Sequence, residues 1–262
     1  MNSLKKYSFN AFPAKRILRR MGLFHDQDGI MRRYIVEQEN WKQHLDFCTH
    51  FIEQAVSRLS PARVAVLGSG WLLDVPLEFL SQHCKEVHLY DIRHPRPVAH
   101  KMKQYRNVEL FEMDITGGMI EYIYSRVRTS GEIPNGNFPE ILFSPVKQVD
   151  LIVSLNILNQ LDCLIADYLK SRYSLKETAL IELRKKIQQN HLNSLPADRS
   201  VLISDYEEQR YDRTGELKST HPLLFVDFPE GNFSMEWGWK FDNHMTYHPN
   251  RITHLKVKAI QI

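Results

Sequence analysis

Only three cysteines occur in this chain, Cys48, Cys84 and Cys163, and no two form a CxxC pair. That excludes a disulfide framework, a zinc ribbon and a thioredoxin-type redox motif. The 12 histidines do not change this, because Cys48-x-His50 and His83-Cys84 lack zinc-ligand spacing, so no metal is expected. No stretch approaches the ~18–20 continuous apolar residues of a membrane span. No Gly-x-Ser-x-Gly elbow is present, and no Gly-Lys-Ser/Thr follows a glycine loop, which excludes a P-loop. Neither sign of charge dominates: 34 Lys+Arg stand against 31 Asp+Glu, a net +3 that by itself implies no nucleic-acid partner. What remains is an ordinary globular composition, 43% apolar and 25% charged. At ~100–200 residues per domain, 262 residues make one large domain or one with a small extension.

Charge is unevenly spread. Residues 1–34 hold eight cations (Lys5, Lys6, Lys15, Arg16, Arg19, Arg20, Arg32, Arg33) and two anions (Asp26, Asp28), a surplus of six that leaves the remainder near −3. Such a segment is either a solvated helix face or a patch for an anionic acceptor, RNA phosphate or membrane surface. The first 25 residues contain no acid, like an organellar presequence, but they are poor in serine and lack the apolar core of a secretory signal. A cytoplasmic setting is expected.

Periodicity predicts a helix over 13–21 and a longer one over 40–59, where Trp41, Leu45, Cys48, Ile52, Ala55 and Leu59 form one stripe. Beyond these, strands at 64–67, 87–90, 108–113, 151–154 and 201–204 alternate with helices near 72–83, 96–104, 117–127, 156–172 and 176–191. Short apolar strands separated by helices call for a parallel sheet covered on both faces, most simply a doubly wound one. A Gly- and Pro-containing connection at 129–147 interrupts the rhythm. From about 212 onward, segments 223–228, 233–241 and 255–260 read as strands of an antiparallel tail.

The most informative stretch is Val64-Ala-Val-Leu-Gly68-Ser69-Gly70-Trp-Leu-Leu-Asp74, an apolar strand running into Gly-x-Gly and then a helix. Glycines there permit a tight turn and let a ligand lie against bare backbone. A dinucleotide fingerprint requires a third small residue three positions after the second glycine, and Leu73 stands there, so NAD and FAD are disfavoured. The second strand ends in Asp91, placed to accept both hydroxyls of a ribose or to cap the next helix. The third leads to Asp114. Three neighbouring strands thus present Gly-x-Gly, Asp and Asp at the sheet edge where ligands bind in open α/β folds.

In these motifs, over roughly residues 60–210, the chain resembles the class I S-adenosylmethionine-dependent methyltransferases. The resemblance implies an α/β, doubly wound, Rossmann-like fold: a mostly parallel seven-stranded sheet with an antiparallel C-terminal strand. A helical N-terminal extension (1–60) would precede the methyltransferase domain (61–262). It implies S-adenosyl-L-methionine as cofactor, with Gly68, Ser69 and Gly70 beside the methionine part, Asp91 and Ile92 at the ribose, and Asp114 and Ile115 at the adenine. Ser154 and Asn156, at the end of the fourth strand, would line the methyl-donor pocket. The chain departs from the family at Val66, where an acid is common, and at Leu72, where a third glycine is common. The Asn/Asp-Pro-Pro-aromatic signature of many nucleobase and amide N-methylating members is replaced by Asn156-Ile-Leu-Asn159, against amino groups on bases as the acceptor.

Methyl transfer from a sulfonium needs alignment and exclusion of water more than a dedicated catalytic group. No catalytic residue is therefore assigned. Candidate acceptor contacts are Trp41 and His44 on the 40–59 helix, Asp205 and Tyr206 closing the fifth strand, and Trp237 and Trp239 sharing one face in the tail. The N-terminal helices and the 129–147 connection would form the lid or the acceptor wall. The expected activity is methyl transfer to a small molecule. The alternatives are a non-catalytic cofactor-binding or scaffolding protein, and an RNA-directed methyltransferase using the basic segment.

Overall fold

Strand β1 (Arg63–Leu67) buries both faces of the sheet at once. Val64 and Val66 pack with Phe51, Ile52 and Ala55 of the preceding helix, whereas Ala65 and Leu67 join Ile152 and Leu202 in a cluster on the other face. A computed structural model describes residues 13–130, 149–174 and 176–262.

Helices α1 (Lys15–Arg20) and α2 (Leu23–Leu59) come first. After β1 the order is α3 (Leu77–His83), β2 (Glu86–Asp91), α4 (Arg96–Met102), β3 (Val108–Glu112), α5 (Met119–Ser130) and β4 (Leu151–Leu155). Then follow α6 (Gln160–Lys170), α7 (Glu177–Ser194), β5 (Ser200–Tyr211), β6 (Leu217–Pro222), β7 (Phe233–Asp242) and β8 (Ile252–Gln261). Strands β1 to β5 are parallel, and the sheet order is β3-β2-β1-β4-β5-β8-β7. Strands β7 and β8 are antiparallel to their neighbours.

The sheet has eight strands rather than seven, because β6 pairs antiparallel with the far end of β5. Strand β5 therefore does not close at Ser204: it passes a register shift at Asp205/Glu207 and continues to Tyr211. The expected strand at 223–228 is absent. There the side-chain amide of Gln188 on α7 takes up the backbone, donating to Leu223 O and accepting the Phe225 N–H at 2.7 Å. The apolar side chains of this run are half-buried without a ladder, Leu224 and Phe228 packing against the cluster of Ala65, Leu67 and Ile152.

Three helices begin away from their expected starts. Helix α3 starts at Leu77 after Pro76, and α6 starts at Gln160 because Asn156 takes a left-handed φ of +50°. Helix α2 extends the 40–59 stripe back to Leu23, with non-helical geometry at Glu37 (φ −106°, ψ 17°). The buried Glu37 carboxylate holds that bend, accepting the backbone N–H groups of Asn243 and His244. Before the bend, Ile35 and Val36 are exposed, so this half shows no core stripe to a periodicity reading.

The basic surplus is placed in part. Lys15, Arg16, Arg19 and Arg20 lie on α1 around buried Ile17 and Leu18. Lys5 and Lys6 lie outside the described residues, as does the 129–147 connection except for its first two residues in α5. No described helix is long and apolar enough to cross a membrane.

Candidate cofactor and acceptor site

The ends of β1, β2, β3 and β4 open on one cavity, which α2 covers from above. Its empty volume is about 1190 Å³, part of it open to solvent. Gly68 turns the chain at φ +84°, and a Cβ there would lie 2.0 Å from Ile157 Cγ2 and 2.6 Å from Leu155 O. Close packing against the β4–α6 turn thus requires this glycine. Gly70 is different: at φ +40° its position favours glycine, but the nearest atom to an added Cβ is Asp91 Oδ2 at 3.6 Å. Bare backbone there faces the cavity.

Asp91 Oδ2 accepts the Gly70 N–H at 2.8 Å, and Oδ1 accepts the Gln27 side-chain N–H at 3.0 Å. Burial pushes its carboxyl up to about 6, against the lowering effect of the backbone donors. Asp114 is likewise raised to about 6 by burial. Its Oδ1 caps the next turn through Thr116, while Oδ2 is buried with no hydrogen-bond partner. Ile92 and Ile115 complete this side of the wall.

On the β4 side, Asn156 Nδ2 donates to Asp74 Oδ2 at 2.7 Å. His44 lies flat on Trp239, with ring centroids 3.7 Å apart, and Trp41 meets the Trp239 edge at 4.8 Å. Burial lowers His44 to about 3, so its imidazole is neutral at neutral pH. The titratable lining is four carboxylates (Asp26, Asp74, Asp91, Asp114) and this neutral histidine; among the described residues no Lys or Arg lines the cavity.

Of the residues singled out from sequence, Gly68, Ser69, Gly70, Asp91, Ile92, Asp114, Ile115, Asn156, Trp41, His44 and Trp239 line this one cavity. Four do not. Ser154 points to the other face and bonds His191 Nε2 at 2.8 Å. Asp205 is buried against Asn159, Tyr206 reaches Glu236 at 3.4 Å, and Trp237 stands behind His44. Sequence reasoning passed over Asp26, Gln27, Trp71, Asp74 and Gln160, all of which line the cavity. Asp74 ends the very stretch that carries the glycines. Gln27 had no signal, since a lone glutamine on a helix belongs to no motif.

The parallel order 3-2-1-4-5, with the last strand of the chain inserted antiparallel between β5 and β7, decides the architecture. It is the doubly wound, Rossmann-like architecture that the resemblance implies, mostly parallel with an antiparallel end.

No family model matches the chain, and no curated protein matches it. Solved methyltransferases are similar to it at low identity. The N-methyltransferase NodS from Bradyrhizobium japonicum WM9, in complex with S-adenosyl-L-homocysteine, is 13% identical over 82% of this chain and 86% of that one, with a TM-score of 0.36. The DhpI–S-adenosylhomocysteine complex is 11% identical over 95% and 98%, with a TM-score of 0.37. The 1,6-didemethyltoxoflavin-N1-methyltransferase of Burkholderia thailandensis is 13% identical over 90% and 89%, with a TM-score of 0.35.

Proposed function

We propose that the chain binds S-adenosyl-L-methionine and transfers its methyl group to a small-molecule acceptor. One observation carries this reading: the glycine turn, Asp91, Asp114 and Asn156 meet around a cavity whose charged lining is wholly acidic. A sulfonium cofactor is cationic at sulfur and carries ribose hydroxyls, an adenine amino group and an ammonium, all of which suit carboxylates. The orphaned Asp114 Oδ2 is an acceptor for an amino group, and the bare backbone at Gly70 leaves room for a ligand.

When bound, the cofactor supplies an activated methyl carbon. Asp91 would hold the ribose, Asp114 and Ile115 the adenine, and Gly68, Ser69 and Gly70 the remaining chain. Trp41, His44 and Trp239 form the wall left for the acceptor. Their ring faces suit a planar or cationic molecule, and the neutral His44 suits an acceptor that does not rely on a strong base. The first half of α2 excludes water: Trp71 Nε1 donates to Gln27 O at 2.8 Å, closing the helix onto the glycine turn. We accordingly divide the chain into a helical cover, 1–60, and a methyltransferase domain, 61–262. A cavity covered by α2 supports a small acceptor over RNA. The free thiols Cys48, Cys84 and Cys163 suit the reducing cytoplasm we assign to it.

A scaffolding role is the second reading, favoured by Gln27 already occupying Asp91 Oδ1. Calorimetry with S-adenosylmethionine and S-adenosylhomocysteine decides between them. Saturable binding of both supports the enzyme, and acceptor-dependent formation of S-adenosylhomocysteine then identifies catalysis. Binding of neither sinks the proposal.

A further inference from the structure

A second cavity, of about 980 Å³ and partly open to solvent, lies between α1, the start of α2 and the ends of β2 and β3. It shares only Ile92 with the first. Its charge is of the opposite kind. Lys15 and Arg19 enter it from α1 and Arg93 from the segment after β2, whereas among the described residues no Lys or Arg lines the first cavity.

These cations are only partly matched by acids. Arg93 pairs with Asp28 and donates its Nε–H to Gln27 Oε1 at 2.8 Å. Among the described residues Lys15 and Arg19 form no ion pair, and Glu112, the remaining carboxylate of the wall, bonds neither of them. Lys15 and Arg19 stand four residues apart on α1, a like-charge spacing that disfavours the helix. Phe24 gathers the guanidiniums, with Arg93 Cζ 4.7 Å and Arg19 Cζ 5.9 Å from its ring centre. Cation–π attraction offsets part of their repulsion but supplies no counter-charge. Cations drawn together from two separate parts of the chain, at a cost to one of them, mark a place where an anion is wanted.

The wall also selects among anions. Two guanidinium forks and an ammonium can meet several oxygens of a phosphate dianion at once, and His25 stands beside them. A single carboxylate would only repeat for Arg93 what Asp28 already does. Asp28 and Glu112 bound the cationic patch, opposing a long polyanion laid across it while leaving room for one compact group.

We propose that Lys15, Arg19 and Arg93 form a binding site for the phosphate group of a small ligand, separate from the cofactor cavity. The two cavities being distinct, this site holds whether or not the first takes S-adenosylmethionine.

Calorimetry on the intact chain with inorganic pyrophosphate, at fixed ionic strength, tests it. Saturable binding at one site is expected. Arg19→Gln should weaken it roughly 10- to 100-fold, the range for hydrogen bonds between charged partners. Arg16→Gln removes the same charge from the same helix, but Arg16 does not line the cavity, so its effect should stay within about twofold. Arg16 and Arg19 are both exposed, so neither change threatens the core. An equal loss in the two variants would reduce the effect to general charge attraction and overturn the site. Binding unchanged by Arg19→Gln would put pyrophosphate elsewhere, and no binding at millimolar concentration would end the proposal. A short single-stranded oligoribonucleotide is the other arm. If it binds more tightly than pyrophosphate, with a steep salt dependence that both variants reduce alike, α1 is an RNA surface and the small-ligand site falls.

Discussion

Gln27 and Asp91 meet across the mouth of the cavity: the glutamine amide donates to Asp91 Oδ1 at 3.0 Å, while Gly70 N–H holds Oδ2. The same glutamine donates to Arg93 O at 2.8 Å and accepts from Arg93 Nε at 2.8 Å. Arg93 in turn pairs with Asp28 and stacks on Phe24. One turn of α2 is thereby fastened to the carboxylate proposed to hold the ribose.

Gln27→Ala should therefore free Asp91 Oδ1 and loosen the cover. We expect S-adenosylhomocysteine to bind roughly 2- to 10-fold more tightly, the net worth of one ordinary competing hydrogen bond. Amide exchange in residues 23–36 should quicken. Unchanged affinity together with unchanged exchange would show that this contact is not a latch.

Asp91→Ala should cost roughly 1.5–3 kcal/mol of binding to S-adenosylhomocysteine, the range for hydrogen bonds to a charged partner. Calorimetry reads the loss directly. Affinity equal to that of the unaltered protein would remove Asp91 from the site.

The two glycines should fail in different ways. Gly68→Ala drives a Cβ to within 2.0 Å of Ile157 Cγ2 and should destabilise the fold by about 1–3 kcal/mol or more, seen as a lowered thermal midpoint. Gly70→Val meets only ordinary contacts at its Cβ, Asp91 Oδ2 at 3.6 Å and Gly68 O at 3.9 Å, and should remain folded, with some loss from its φ of +40°, yet lose cofactor binding. A folded Gly70→Val that binds normally would put the ligand elsewhere.

Asp205 should make stability depend on pH although it does not line the cavity. Burial raises its carboxyl from 3.8 to about 7, so between about pH 4 and 7 the folded state binds the proton that the unfolded state has released. Its contribution is favourable at low pH and is lost as pH rises through 7. Buried His44, His94 and His191, lowered to about 3, 4 and 4, act in the opposite direction, favouring the fold above 6.5. Relative to the unaltered protein, Asp205→Asn should thus be more stable at pH 8 than at pH 5 by roughly 1–3 kcal/mol. Denaturant melts at both values check this, and a difference independent of pH would contradict it.

Trp237→Phe removes the donor that commits the His44 lone pair. The freed imidazole, with Cys48 and Asp74, should then accept zinc, raising the thermal midpoint of the variant but not of the unaltered protein. Equal zinc effects on both would show that Trp237 does not set the tautomer.

The parallel half of the fold was legible because β1, β2 and β4 are short runs rich in apolar residues and ended by Gly68, Asp91 and Asn156, the pattern of strands covered on both faces. Strand β6 was not. Its sequence, Leu217–Pro222, is mostly polar, and what makes it a strand is the overlong β5 offering an edge. The apolar run that follows looked more strand-like, yet Gln188, distant in sequence, claimed its backbone. Residue chemistry along the chain was sufficient to choose Gly68, Asp91 and Asp114, since each ends or follows a strand and parallel strands share an edge.

Tertiary structure alone decided what those groups face. That Gln27 reaches Asp91, that Asn156 spends its amide on Asp74 and leaves its oxygen bare, and that Trp237 fixes the proton of His44 all depend on contacts between residues 64 to 193 positions apart. Local pattern reports which face a side chain takes, because helix and strand periods are short-range. Hydrogen-bond partners and cavity walls are set by how whole elements dock, and that information is spread over the entire chain.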